Sequence, residues 1–217
     1  MRSRARLVAA MAAVALLLVG CSVPTAQHVG QSSAGLFFDV PKEWTAVEPA
    51  LVTKAQSSWS SSDSGQAYLD ALKWQTVLSS NAQLTPAEAF GNTAPDSPVV
   101  YAAVRSLYDV EAQNVSSDVL TALQDVVLPV SLAENGDGLD INLNQSYVQN
   151  GLNGVRQQMS WTVGGVRQTI DTRLVLGMKQ KLLFIFWVRC SDTCRSTNEV
   201  SIQRALDSLT VKEPSVA

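Results

Sequence analysis

The chain has 217 residues, 46% of them hydrophobic and 16% charged, with a formal net charge of −3. That is ample for one large core, and the slight acidity excludes the basic footprint that nucleic-acid backbones require.

Arg2, Arg4 and Arg6 precede an uncharged apolar block from Leu7 to Val19, the order of a secretory signal. The block is short for a membrane span, which needs roughly 20 apolar residues. Leu18-Val19-Gly20-Cys21 resembles the bacterial lipobox. That resemblance implies removal of residues 1–20, a diacylglyceryl group on Cys21, and a lipid-anchored protein on the extracytoplasmic face of the cell membrane. Loss of three arginines leaves thirteen basic against nineteen acidic residues, a net charge of −6. Residues 21–35 then read as the lipidated Cys and a flexible tether, because Ser22 to Gly35 mixes Ser, Gly, Gln, Pro and Ala. The only histidine, His28, falls in this tether as a solvated spacer residue. A folded domain without His excludes Ser-His-Asp, Cys-His and His-based zinc chemistry.

Residues 36–217 read as a single domain. Leu36-Phe37-Phe38-Asp39-Val40, closed by Pro41, begins a hairpin whose second extended segment holds Trp44 and Val47. A Ser-rich loop, 57–64, leads to a predicted helix over Gln66–Leu78. Thr85-Pro86-Ala87-Glu88 starts a short helix toward Phe90, with Thr85 as N-cap and Pro86 in the first turn. Val99–Val104 reads as a strand, and Ser116 or Ser117 caps a helix with an apolar stripe of Val119, Leu120, Leu123, Val126 and Val127. Glu134–Asn142 has the composition of a calcium loop, but an EF-hand frame puts Ala133 first and Asn144 where a bidentate Glu belongs; it reads as a turn between elements.

From Gly154 to Cys190 the pattern is that of an antiparallel meander. Val155, Gln157, Met159, Trp161 and Val163 alternate with polar residues, and Gly164-Gly165 makes a two-residue turn. Val166, Ile170, Leu174 and Leu176 alternate with Arg167, Asp171 and Arg173, which predicts a strand with one wet face. Lys181–Val188 reads as apolar on both faces, as expected of a central strand covered by helices. A helix capped by Ser196 or Thr197 closes the domain through Leu209. Strands interrupted by segregated helices predict an α+β fold, an antiparallel β-sheet covered by helices.

Three sets of residues are candidates for function. Cys190 and Cys194 are the even remainder once Cys21 is lipidated, and an exported compartment favours their disulfide. Arg156, Arg167 and Arg173, on the wet sheet face, could hold an anionic ligand or partner. Trp161, Trp187, Phe184, Phe186 and Met159 could line an apolar pocket for a lipid. No catalytic, cofactor or metal set is recognised.

"FFDVPKEW", "GLNGVRQQMSW", "LLFIFWV" and the closing "LDSLTV" resemble exported proteins of the PsbP-like α/β/α sandwich. The lipobox, the Pro-x-x-Trp opening and "VVYAAV" are similar to actinobacterial lipoproteins of the LpqN type. This chain differs in having Lys42-Glu43 where a Gly commonly precedes the Trp, and in its cysteine pair. The resemblance implies a non-catalytic binding or interaction module of an actinobacterial cell envelope, with an envelope protein as partner. The alternative is a carrier or chaperone for a lipid or other apolar ligand.

Overall fold

A computed structural model describes residues 26–57, 63–91, 93–113, 137–177 and 181–213. In chain order the elements are β1 (Ala26–Gln31), β2 (Leu36–Pro41), β3 (Thr45–Ala46), α1 (Pro49–Gln56), α2 (Asp63–Ala71), β4 (Leu72–Ser79), α3 (Pro86–Phe90), β5 (Val99–Ser106), α4 (Asp109–Gln113), β6 (Asp137–Gln149), β7 (Leu152–Val163), β8 (Val166–Gly177), β9 (Leu182–Ser191), α5 (Asp192–Ser208) and β10 (Thr210–Val211). Seven strands form one antiparallel sheet in the order β3-β4-β5-β9-β8-β7-β6, and β1-β2-β10 form a second. The α+β class predicted above is the class observed.

β5 and β9 occupy the middle of the large sheet and are buried on both faces, which is why neither shows polar alternation. One face, formed by Val100, Ala102, Phe184, Phe186 and Val188, packs against Leu36, Phe38 and Val40 of β2 and against Ile202, Ala205 and Leu206 of α5. The other face, with Tyr101, Ile185 and Trp187, packs against Val52 of α1, Tyr68 of α2 and Phe90 of α3. Phe90 meets the Trp187 ring edge-on at 6.1 Å, and Tyr101 lies 5.2 Å from it. Burying each such side chain stabilises the fold by roughly 1.5–3 kcal/mol.

Several local expectations are corrected. Residues 26–31, expected as tether, are a strand paired antiparallel with β2 from Ala26↔Pro41 to Gln31↔Leu36. His28 is therefore in the fold; its Nδ1 lies 2.8 Å from the Asp39 carboxylate and its ring stacks on Phe37. The helix expected over Gln66–Leu78 ends at Ala71, and Leu72–Ser79 is strand β4. The two periods merge because no Gly or Pro separates them. The expected turn at 134–142 is strand from Asp137 onward. α5 begins at Asp192 rather than after Thr197, with Ser191 as N-cap accepting from the Cys194 N–H at 3.2 Å. The Thr85 cap is present, closed reciprocally by the Glu88 carboxylate on the Thr85 N–H at 2.8 Å. The helix expected around Val119–Val127 lies outside the described residues, as do the signal segment and Cys21.

Candidate functional site

The three arginines do not share a wet face. β8 is buried on both sides over nearly its whole length, because α5 packs across β8 and β9. Arg173 is only 9% exposed, and Asp171 beside it is buried and bound by Arg195 of α5 and by Gln158 Nε2 at 2.7 Å. Alternation predicts which side chains point away from the core strand face; it carries no record of a helix arriving 20 residues later in the chain. Arg167 sits at the far end of β8, where it pairs with Asp140 at 2.6 Å and approaches Asp192 at 4.0 Å. It is an ordinary surface ion-pair residue.

Arg156 and Arg173 are brought together. They are direct partners in the β7–β8 register, so their Cβ atoms are about 5 Å apart on the α5 side of the sheet. Among the described residues neither forms a salt bridge. The hydrogen bond recorded for Arg173 is a long one, Nη1 to the Thr172 carbonyl at 3.4 Å, and the buried Nε of Arg156 has no acceptor. Asp171 is near but already shared between Arg195 and Gln158. Burial lowers the Arg173 pKa and the neighbouring Arg156 lowers it further, while Tyr147, Asp171 and Asp207 oppose them.

Tyr147 completes the cluster and was not foreseen. It stands on β6 opposite Gly154 of β7, and its ring lies where a side chain at 154 would be. A Cβ on Gly154 would meet Tyr147 Cε1 at 2.8 Å and the Leu174 carbonyl at 2.7 Å. The missing side chain thus lets the ring lie down toward the arginines. Its hydroxyl is buried without a partner, and its pKa is pushed up to about 12 by burial, against the pull of Arg173 and Arg156. Two guanidinium groups and a phenol, all with unused hydrogen-bonding capacity, can together accept an anionic group.

The five residues expected to line an apolar pocket fall on opposite sides of the sheet. Phe184 and Phe186 belong to the core under α5, whereas Trp161, Trp187 and partly buried Met159 belong to the core under the short helices. Even and odd positions of β9 cannot share a cavity, since successive strand residues point to opposite faces. Cys190 and Cys194 form the expected disulfide across the β9–α5 junction, with both residues buried. Among the described residues there is no group of three or more metal-ligating side chains, and no helix is long and apolar enough to cross a membrane.

The architecture is that of an α+β protein with a PsbP-like fold. No family model matches the chain, and no curated protein sequence does. Among solved structures it is similar to the cyanobacterial PsbP of Synechocystis, at 10% identity and a TM-score of 0.54, over 89% of this chain and 96% of that one. Weaker likenesses, each over 86% of this chain, join it to LpqN, involved in cell envelope biogenesis of Mycobacterium tuberculosis, and to the Ran-binding protein Mog1p of Saccharomyces cerevisiae. LpqN matches at 14% identity, a TM-score of 0.48 and 90% of its length; Mog1p at 10%, 0.47 and 95%. At these identities the likeness is one of fold.

Proposed function

We propose that the chain is an exported lipoprotein, held on the extracytoplasmic face of the membrane through Cys21, whose domain is a non-catalytic binding module of the cell envelope. The charged-then-apolar leader and the lipobox support the anchor. The observation that carries the binding reading is the opposed pair Arg156 and Arg173, neither of which forms a salt bridge among the described residues. A mature chain with six more acids than bases has carboxylates to spare, yet among the described residues Asp171 and Asp207 act on Arg173 only through space, without a salt bridge. Arranged beside Tyr147, they receive an acidic group of a protein partner.

Two experiments test this reading. Replacing Cys21 by Ser removes the lipid mass and moves the protein out of the membrane fraction; retention without lipid sinks the anchor. A photoreactive side chain at the exposed Gln145, the neighbour of Arg156 on β6, yields a defined envelope crosslink that is lost in Arg156→Glu. A crosslink unaffected by the charge reversal removes the arginines from the interface.

A further inference from the structure

The opposite face of the sheet, across β7, β8 and β9, carries a second feature. In the register, Gln157, Thr172 and Trp187 form one row across β7, β8 and β9; Met159, Ile170 and Arg189 form the next; Trp161 and Gln168 begin the third. All six polar members are at most 4% exposed. Among the described residues, Gln157 Oε1, Thr172 Oγ1, both atoms of the Gln168 amide, the indole N–H groups of Trp161 and Trp187, and Nε and Nη1 of Arg189 have no hydrogen-bond partner. Buried polar groups are ordinarily paired, so this concentration in one patch calls for an explanation.

Arg189 decides its nature. It is fully buried, and among the described residues its Nη2 donates to the Thr93 carbonyl. Burial lowers its pKa to about 10, which leaves it cationic at neutral pH. Glu88 is the acid that feels it, but a Glu88 oxygen is engaged by the Thr85 N–H and hydroxyl. A buried cation lacking a bonded counter-charge is costly, and neutral groups compensate it poorly.

We propose that this patch is an internal binding site for a small carboxylate monoanion with an apolar body. Arg189 holds the carboxylate, Gln168 and Thr172 supply neutral hydrogen bonds around it, and Met159, Ile170 and the two indole rings contact the apolar part. One cation matches one negative charge, which favours a carboxylate over a phosphate dianion. The site lies across the sheet from Arg156 and Arg173 and is independent of the surface reading.

The test uses the full chain as its host exports it, in detergent micelles, with tryptophan indoles labelled by nitrogen-15 and assigned by Trp→Phe replacement. Sodium benzoate is the probe and benzyl alcohol its uncharged control. The indole signals of Trp161 and Trp187 move saturably with benzoate, while those of Trp44 and Trp74, which pack on the other face, stay in place. Arg189→Met weakens the response at least about tenfold, as loss of a charge-assisted bond implies, and the near-isosteric Thr172→Val weakens it by a smaller factor. Unchanged Trp44 and Trp74 signals certify that each variant is folded. Indole signals of Trp161 and Trp187 that ignore benzoate overturn the proposal, whether their protons exchange freely, as in a water-filled site, or are protected, as in a dry one. An equal response to benzyl alcohol also overturns it.

Discussion

Arg156 and Arg173 face each other directly across the β7–β8 ladder, two like charges at a position where sheets normally place an opposite pair or an apolar one. Removing one charge relieves the repulsion. Arg156→Gln is expected to raise stability by about 0.5–1 kcal/mol at low ionic strength, with the gain shrinking as salt screens the pair. Urea unfolding at low and high salt measures this. A loss of stability at both would mean that the arginines already have a stabilising acidic partner.

Gly154 gives Tyr147 its place. In Gly154→Ala the added methyl meets ring carbons and the Leu174 carbonyl at under 3 Å, so ring or strand must move. The expected cost is about 1–3 kcal/mol, the usual range for overpacking. Tyr147→Ala combined with Gly154→Ala recovers the part due to the ring, and a double-mutant cycle by urea unfolding reads that part.

Arg105 is fully buried at the end of β5 and is bound by both oxygens of Glu111 at 2.8 Å, with its guanidinium 5.0 Å from the Tyr108 ring centre. Breaking such a pair leaves an uncompensated buried charge. Glu111→Ala should cost about 3–5 kcal/mol, observable as a large drop in the urea midpoint. A cost under about 1 kcal/mol, the range of exposed pairs, would show that water reaches Arg105.

The Cys190–Cys194 bridge closes a ring of only five residues. Chain entropy assigns it about 2 kcal/mol, well below what a long loop returns. Replacing both cysteines by Ala is expected to lower stability by about that amount and to leave the fold intact by circular dichroism. Unfolding of the variant would give the bridge a larger role at the start of α5 than loop closure supplies.

Tyr68 is buried, and desolvation raises its pKa from 10.0 to about 12, against the opposing bond to Tyr101 and the charge of Arg105. In the unfolded chain it loses its proton near pH 10, while the folded chain keeps it to about pH 12. Its contribution is present in full below pH 10 and is lost as pH rises to 12, about 2–3 kcal/mol over that window. Tyr68→Phe has no proton to lose in either state. Its stability should therefore fall less than the parent's between these pH values, and parallel curves would contradict the shift.

The parts legible in the sequence were those whose pattern is set by burial within one element. β5 and β9 read as strands because both of their faces are covered, and β7 read correctly from its alternation. β6 did not, although it is 13 residues long: as an edge strand with Leu139, Ile141 and Val148 exposed among Asp, Asn and Gln, it has no buried face to imprint a period of two. β1 failed for the same reason, its polar composition being that of a linker. The arginines were found as residues but misplaced in environment, since the docking of α5 across β8 is a long-range event. Tyr147 and Arg189 left no signal, because a cross-strand neighbour and an unpaired buried charge exist only after strands pair.

β1 also sets how far the domain stands from its anchor. With Ala26 already hydrogen-bonded into a sheet, four residues, Ser22, Val23, Pro24 and Thr25, separate the proposed lipid on Cys21 from folded structure. Fully extended, the five steps from Cys21 to Ala26 span at most about 18 Å, well short of the roughly 30 Å hydrocarbon thickness of a bilayer. On the proposed anchor, a domain on so short a leash would stay at the headgroups with the Ala26 end of β1 toward the membrane. So held, it would tumble little, and partners would arrive laterally along the membrane plane or from above.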